Sequence, residues 1–154
     1  MFPSEFEQEA IINFHSEEID FILINVELKK SWVTKIIEQE NKMLLLLNFI
    51  FCSDDYLHKI NLEYLEHDTY TDIITFPLAE DPDIEGDIFI SIDRVKENAI
   101  KFETSFENEL NRVLAHGVFH LCGYRDKTEE EATLMRQKEN QALLLLNQIK
   151  AYLK

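Results

Sequence analysis

The chain has 154 residues, with 30 Asp and Glu against 15 Lys and Arg, for a formal net charge of -15 at pH 7. That length points to one domain, and 45% hydrophobic residues are enough to bury a core. With 3 Gly and 3 Pro the chain is not collagen-like, linker-rich or a turn-rich all-β protein. The charge argues against an indiscriminate nucleic-acid coat, because a field of this sign repels phosphate.

Cys52 and Cys122 are too few for a disulfide framework. The opening Met1-Phe2-Pro3-Ser4-Glu5-Phe6-Glu7 has no basic n-region and no apolar h-region, so no signal peptide is expected. The most apolar run, Met43 to Cys52 interrupted by Asn48, is far shorter than the ~20 residues that span a bilayer. These features predict a soluble, cytoplasmic protein with no membrane contact.

Residues 10–14 predict a strand, and Leu28 to Asn41, with Trp32, Ile36 and Ile37 at helical spacing, an amphipathic helix. Leu44 to Phe51 is a continuous apolar run suited to a strand covered on both faces. Ser53-Asp54-Asp55 reads as an N-cap before a short helix, Tyr56 to Leu65. Thr71 to Leu78 is a strand with Pro77 placing its end at an edge or turn. Ala79 to Gly86 is an acidic loop, and Asp87 to Ile92 the next strand. Asp93 is the expected cap of a helix to about Phe102, and Thr104 or Ser105 of a longer one from Phe106 to Leu121. Thr128 with Glu131 forms a capping box opening a last helix to about Tyr152. Strands come first and helices dominate the end, so residues 1–154 read as a single layered domain.

The charge is uneven. Residues 1–93 hold 21 acids and 5 bases, a net of -16, whereas residues 94–154 hold 9 acids and 10 bases, a net of +1.

The second segment also holds the one constellation with chemistry in it, His116-Gly117-Val118-Phe119-His120-Leu121-Cys122-Gly123-Tyr124-Arg125-Asp126. His116 and His120 are four apart, hence ~40° apart around a helix, and both imidazoles project from one face. Gly123 suits a left-handed turn that ends the helix, after which Asp126 can return a third ligand. Two imidazoles, a carboxylate and an open position are the donor set of a catalytic zinc site. The bland alternative is a pair of core histidines, with Gly117 only letting two elements approach. Gly117 stands where the peptidase motif His-Glu-x-x-His carries its general base, which makes a metallopeptidase the minority reading. Cys122 lies on the opposite side of the helix from His120 and reads as a packing residue. His15, His58 and His67 have no partner at ligand spacing.

At these residues the chain resembles the YbeY family of metal-dependent single-strand endoribonucleases. The family motif His-Gly-x-Leu-His-Leu-x-Gly-Tyr-Asp-His is matched at His116, Gly117, His120, Leu121, Gly123 and Tyr124, with Phe119 for the first Leu. Asn61 and Tyr64, then Thr71-Asp72-Ile73-Ile74-Thr75-Phe76-Pro77, resemble a second block, and Gly86-Asp87-Ile88-Phe89-Ile90-Ser91 a third. Glu109, Leu110 and Arg112 match the helix leading into the metal motif, and the blocks keep family order from about residue 43 to Glu139.

The resemblance implies an α+β single domain, a small mixed four-stranded sheet packed with about five helices and the zinc-site helix central. It implies one zinc ion on His116, His120 and Asp126. The implied substrate is single-stranded RNA, in ribosomal RNA maturation and ribosome quality control, with ribosomal proteins as partners. Two positions depart from the pattern. The third ligand is Asp126 rather than histidine, a harder and more negative donor. Leu65 stands where the family has an arginine thought to act on the phosphate. Arg125, Lys127 and Arg112 are the expected substitute cations, and Asp72, at a matching position, is the candidate general base. A non-catalytic ribosome-assembly module that uses the ion structurally is the competing reading.

Overall fold

In the computed structural model, residues 10–66 and 70–153 are described; the opening Met1–Glu7 and His67 lie outside them. The elements run β1 (Ile11–Glu17), α1 (Val26–Gln39), β2 (Met43–Cys52), α2 (Asp54–Leu65), β3 (Ile73–Pro77), β4 (Asp83–Ser91), α3 (Ile92–Lys101), α4 (Phe106–Leu121) and α5 (Glu129–Tyr152). The sheet order is β1-β2-β4-β3. β1 and β2 pair in parallel, as do β2 and β4, and β3 closes one edge antiparallel to β4. The expected α+β domain, with a mixed sheet of four strands and five helices, is what the described residues form.

β2 explains the layering. Leu47, Phe49 and Phe51 alternate onto one face and join Ile88 and Ile90 of β4 in the main core. α1, α4 and α5 cover that face through Trp32, Ile37, Leu110, Leu114 and Leu146, all at most 2% exposed. Each such side chain contributes ~1.5–3 kcal/mol of burial. Trp32 adds a directional tie, its indole N–H donating to the Ala142 carbonyl at 2.8 Å. The opposite face carries a smaller cluster of Cys52, Leu57 and Ile74 under α2. Between strands, Asn13 donates to Asn48 and Asn48 to Asp87, each at 3.0 Å, a polar ladder at matched register positions.

The start of β4 and the cap of α3 differ from the sequence reading. The acidic loop is shorter than expected, since β4 begins at Asp83. Asp83 and Ile84 pair with Met43 and Leu44, and Gly86 pairs with Pro77, so ladder pairing on both sides overrides acidic composition. The α3 cap is Ser91, whose hydroxyl accepts from the Arg94 amide at 3.2 Å. Asp93 instead accepts from the Asp54 amide at 2.8 Å and ties the start of α2 to α3. Of the two candidate caps of α4 it is Ser105 that accepts from the helix, at Asn108. The Thr128–Glu131 capping box is present in both directions. Among the described residues no helix is long and apolar enough to cross a membrane.

Candidate metal centre

α4 runs through the middle of the molecule and is buried along Leu110, Leu114, Ala115 and Val118. Gly117 is why it can lie so close to the sheet. A Cβ there would stand 2.9 Å from Ile73 Cδ1 and 3.0 Å from Ile88 Cγ2. The missing side chain therefore serves packing, and no base can occupy this position. α4 ends in a Schellman motif: the Gly123 amide donates to the His120 carbonyl and the Tyr124 amide to the Phe119 carbonyl, each at 3.0 Å. Gly123 has φ 106°, which L side chains rarely adopt. The Tyr124 ring packs edge-on against Phe119 at 5.6 Å, the apolar contact that accompanies such a cap. Its hydroxyl donates to Glu40 at 2.6 Å, and Lys138 reaches Glu40 at 3.0 Å while lying 5.2 Å from the ring centroid.

This turn returns the chain to α4. His116, His120 and Asp126 each place one donor atom within 4.8 Å of the other two. Asp126 Oδ2 lies 3.2 Å from His116 Nε2 and 3.5 Å from His120 Nε2, and the two Nε2 atoms are 2.9 Å apart. The far ring nitrogens settle which atoms carry lone pairs. His120 Nδ1 faces the Tyr124 carbonyl at 2.9 Å, which only accepts, so Nδ1 donates. His116 Nδ1 faces Glu139 Oε2 at 2.7 Å. Burial opposes the Glu139 charge, but the hydrogen bond and charge of His116 and the Arg112 hydrogen bond hold this carboxyl below its ordinary value. With Nδ1 donating in each neutral ring, both Nε2 lone pairs would point at one place, where a carboxylate oxygen joins them. Three converging lone pairs repel one another unless a cation, or a proton, lies between them. Two imidazoles and a carboxylate are a donor set that fits one divalent ion of intermediate softness.

Burial lowers the His116 pKa, yet the Glu139 hydrogen bond and the charges of Glu139, Asp126 and Asp72 outweigh it, and the ring sits above its ordinary value. Glu139, on α5 and 5% exposed, is itself fixed by Arg112 at 3.1 Å. A carboxylate behind a ligating imidazole orients the ring and raises its basicity. Sequence reasoning placed Glu139 only at the limit of the family match; its spacing from His116 gives no local signal.

The centre opens on a cleft of about 290 Å³ lined by Asp72, Glu109, Arg112, Arg136, Asn98 and Phe102, together with His116 and Asp126. Asp72 is therefore brought to the site, and burial, against the pull of His116, pushes its carboxyl above the ordinary range. Glu109 is raised likewise, first by burial. Arg112 reaches the cleft but is committed to Glu139. Arg125 and Lys127 flank Asp126 in the turn, exposed, and are not among the cleft-lining residues. Leu65 is 39% exposed at the end of α2, also away from the lining. Cys122 is outside the ligand group, and burial pushes its thiol up to about 12, far from a thiolate ligand. His58 stacks on Tyr70 with ring centroids 4.1 Å apart. Arg136, Phe102 and Asn98 carry no sequence motif, and only the packing of α3 and α5 around α4 reveals them.

Fold and site together define a class: an α+β protein whose central helix and following turn bring together three side chains that could hold a metal ion beside a cleft. A family model described as Endoribonuclease YbeY matches residues 12–147. A Christiangramia forsetii protein named Endoribonuclease YbeY is 54% identical over 136 residues, covering 88% of this chain and 94% of that one. A Flavobacterium johnsoniae protein of the same name is 49% identical over 137 residues, 89% and 98% of the two chains. A Thermotoga maritima protein solved in solution superimposes with a TM-score of 0.62 at 27% identity, over 92% of this chain and 91% of that one. The chain belongs to the endoribonuclease YbeY family.

Proposed function

We propose that the chain is a single-strand-specific endoribonuclease that uses one zinc ion and acts on ribosomal RNA during its maturation in the cytoplasm, beside ribosomal proteins. Metal-dependent RNA cleavage is the activity of its family, and the observation that carries it to this chain is the convergence of three lone pairs on one cation position. A divalent ion held by His116, His120 and Asp126 supplies Lewis-acid chemistry toward a phosphodiester.

The protein's own groups do the rest. Glu139 holds the His116 tautomer, and the Tyr124 carbonyl holds that of His120. Asp72, with its carboxyl raised by burial, is the group suited to take a proton from an attacking water or hydroxyl. A cleft of about 290 Å³ is about the size of a single nucleotide, which is in keeping with an unpaired strand as substrate.

The test is cleavage of end-labelled RNA, as single strand and as duplex, by the metal-loaded, chelator-stripped and reloaded protein. Cleavage of the single strand that is lost on stripping and restored by zinc is expected. Bound metal without RNA cleavage in any highly purified preparation would favour the assembly-module reading, and metal-dependent casein cleavage a peptidase.

A further inference from the structure

We propose that Phe102 and Arg136 form a nucleotide subsite beside the metal centre: the Phe102 ring stacks a base of the RNA strand, and the Arg136 guanidinium takes an adjacent phosphate. The inference rests on the RNA reading above and names the groups that recognise the strand.

Phe102 follows α3, whose buried face is Ile92, Val95 and Ala99. Its ring is outside that face, 55% exposed, and lines the same cleft as His116 and Asp126. A single exposed aromatic needs no explanation by itself. This one stands at the mouth of a charged cleft on a rigid mount. The Phe102 amide donates to the Asn98 carbonyl at 2.9 Å, Glu103 to Ile100 at 3.2 Å and Thr104 to Ala99 at 2.9 Å, with Glu103 at φ 54°. That is a Schellman cap, so the backbone that carries the ring is held in place. The Lys101 ammonium lies over one face of the ring, 5.6 Å from its centroid, so a base would stack on the other face with positive charge close by.

Arg136 approaches the cleft from α5. Four carboxylates, of Asp72, Glu109, Asp126 and Glu139, line this space, so an entering phosphate needs cations there. Arg112 is 18% exposed and hydrogen-bonded to Glu139 at 3.1 Å. Arg136 is 58% exposed and 3.8 Å from the same carboxylate, whose closer partners are His116 and Arg112. Its five N–H donors are therefore largely available, in a fork that matches phosphate oxygens. It supplies within the cleft the kind of charge that Leu65 lacks and that Arg125 and Lys127 do not bring to the lining. Stacking tolerates any base but needs an uncovered base face, so it selects single strands over duplex.

The experiment is steady-state cleavage of single-stranded oligoribonucleotides by the zinc-loaded protein, with metal content checked for every variant. Parent, Phe102→Ala, Phe102→Leu, Phe102→Tyr and Arg136→Gln are compared. Phe102→Ala and Phe102→Leu are expected to raise KM about tenfold with kcat within about twofold, the low end of what one stacked base contributes. Phe102→Tyr keeps the parent KM. Arg136→Gln raises KM and lowers the magnitude of the salt slope by about 0.7, one single-strand phosphate contact. A Phe102→Leu protein matching the parent makes the ring an apolar filler and overturns the stack. Parent KM and salt slope in Arg136→Gln overturn the phosphate contact. If the parent itself cleaves no RNA, the nuclease reading fails and the subsite with it, whereas a cleaving parent with unaffected variants removes the subsite alone.

Discussion

His116 answers to two partners, Glu139 behind it and the cation position in front. Because its pKa is raised above 6.5, an ion competes with a proton for the ring below that raised value. Metal affinity should climb as pH rises through the raised His116 value and level off above it. Calorimetric titrations in two buffers of different ionisation heat will show proton release at pH 6.5 and below that shrinks as pH rises past the raised value. Glu139→Gln keeps the shape of the side chain but loses its charge, and should weaken the metal about 10- to 100-fold. The same pair shapes the metal-free protein. Glu139 is held below its ordinary 4.5, so its stabilisation is present above that value and is lost as pH falls through the depressed one. His116 is held above 6.5, so its share is full below 6.5 and is lost as pH rises through the raised value. Urea midpoints measured with chelator should therefore peak between the two values, and Glu139→Gln should flatten both limbs.

α4 joins the site to the fold, and its two close approaches predict different costs. Gly117→Ala gains ~1 kcal/mol of helix propensity but pushes a methyl into the buried Ile73 and Ile88 side chains. Overpacking of this kind costs ~1–3 kcal/mol, so a modest net loss is expected. In β4, a Cβ on Gly86 would stand 2.6 Å from the Phe76 carbonyl oxygen, backbone that cannot step aside. Gly86→Ala should lower the denaturation midpoint more than Gly117→Ala does. These elements also show what the sequence disclosed. His116, His120, Gly123 and Asp126 were legible because helix periodicity and a glycine stop fix their geometry within eleven residues. Ser53, Ser105 and Thr128 were legible as caps because capping is local. The early start of β4 at Asp83 was not, since pairing with β2 decides it. Nor were Glu139, Arg136 and Phe102 as site residues, because α5 delivers the first two and the end of α3 the third to α4, and no spacing along the chain encodes that meeting.

At the scale of the whole molecule the net charge of -15 sets how RNA is met. Proteins that bind through many phosphate contacts lose ~10³–10⁵ in affinity between ~50 and ~200 mM salt. Here the attraction is confined to one cleft and the remaining surface repels, so screening weakens both effects. KM for a single-stranded oligoribonucleotide should change by less than about tenfold over that range. A steep basic-protein slope would show that cations outside the cleft carry the binding. The charge split along the chain foreshadowed this, since the near-neutral segment from residue 94 onward contributes all three candidate ligands and both subsite residues. The central claim is that His116, His120 and Asp126 hold the ion on which RNA cleavage depends. Its most direct test is zinc stoichiometry and single-strand cleavage measured on the same preparations of parent, His116→Ala and Asp126→Ala. The parent should bind one ion and cleave, and both variants should lose metal and cleavage together. Undiminished cleavage in both variants would contradict the account.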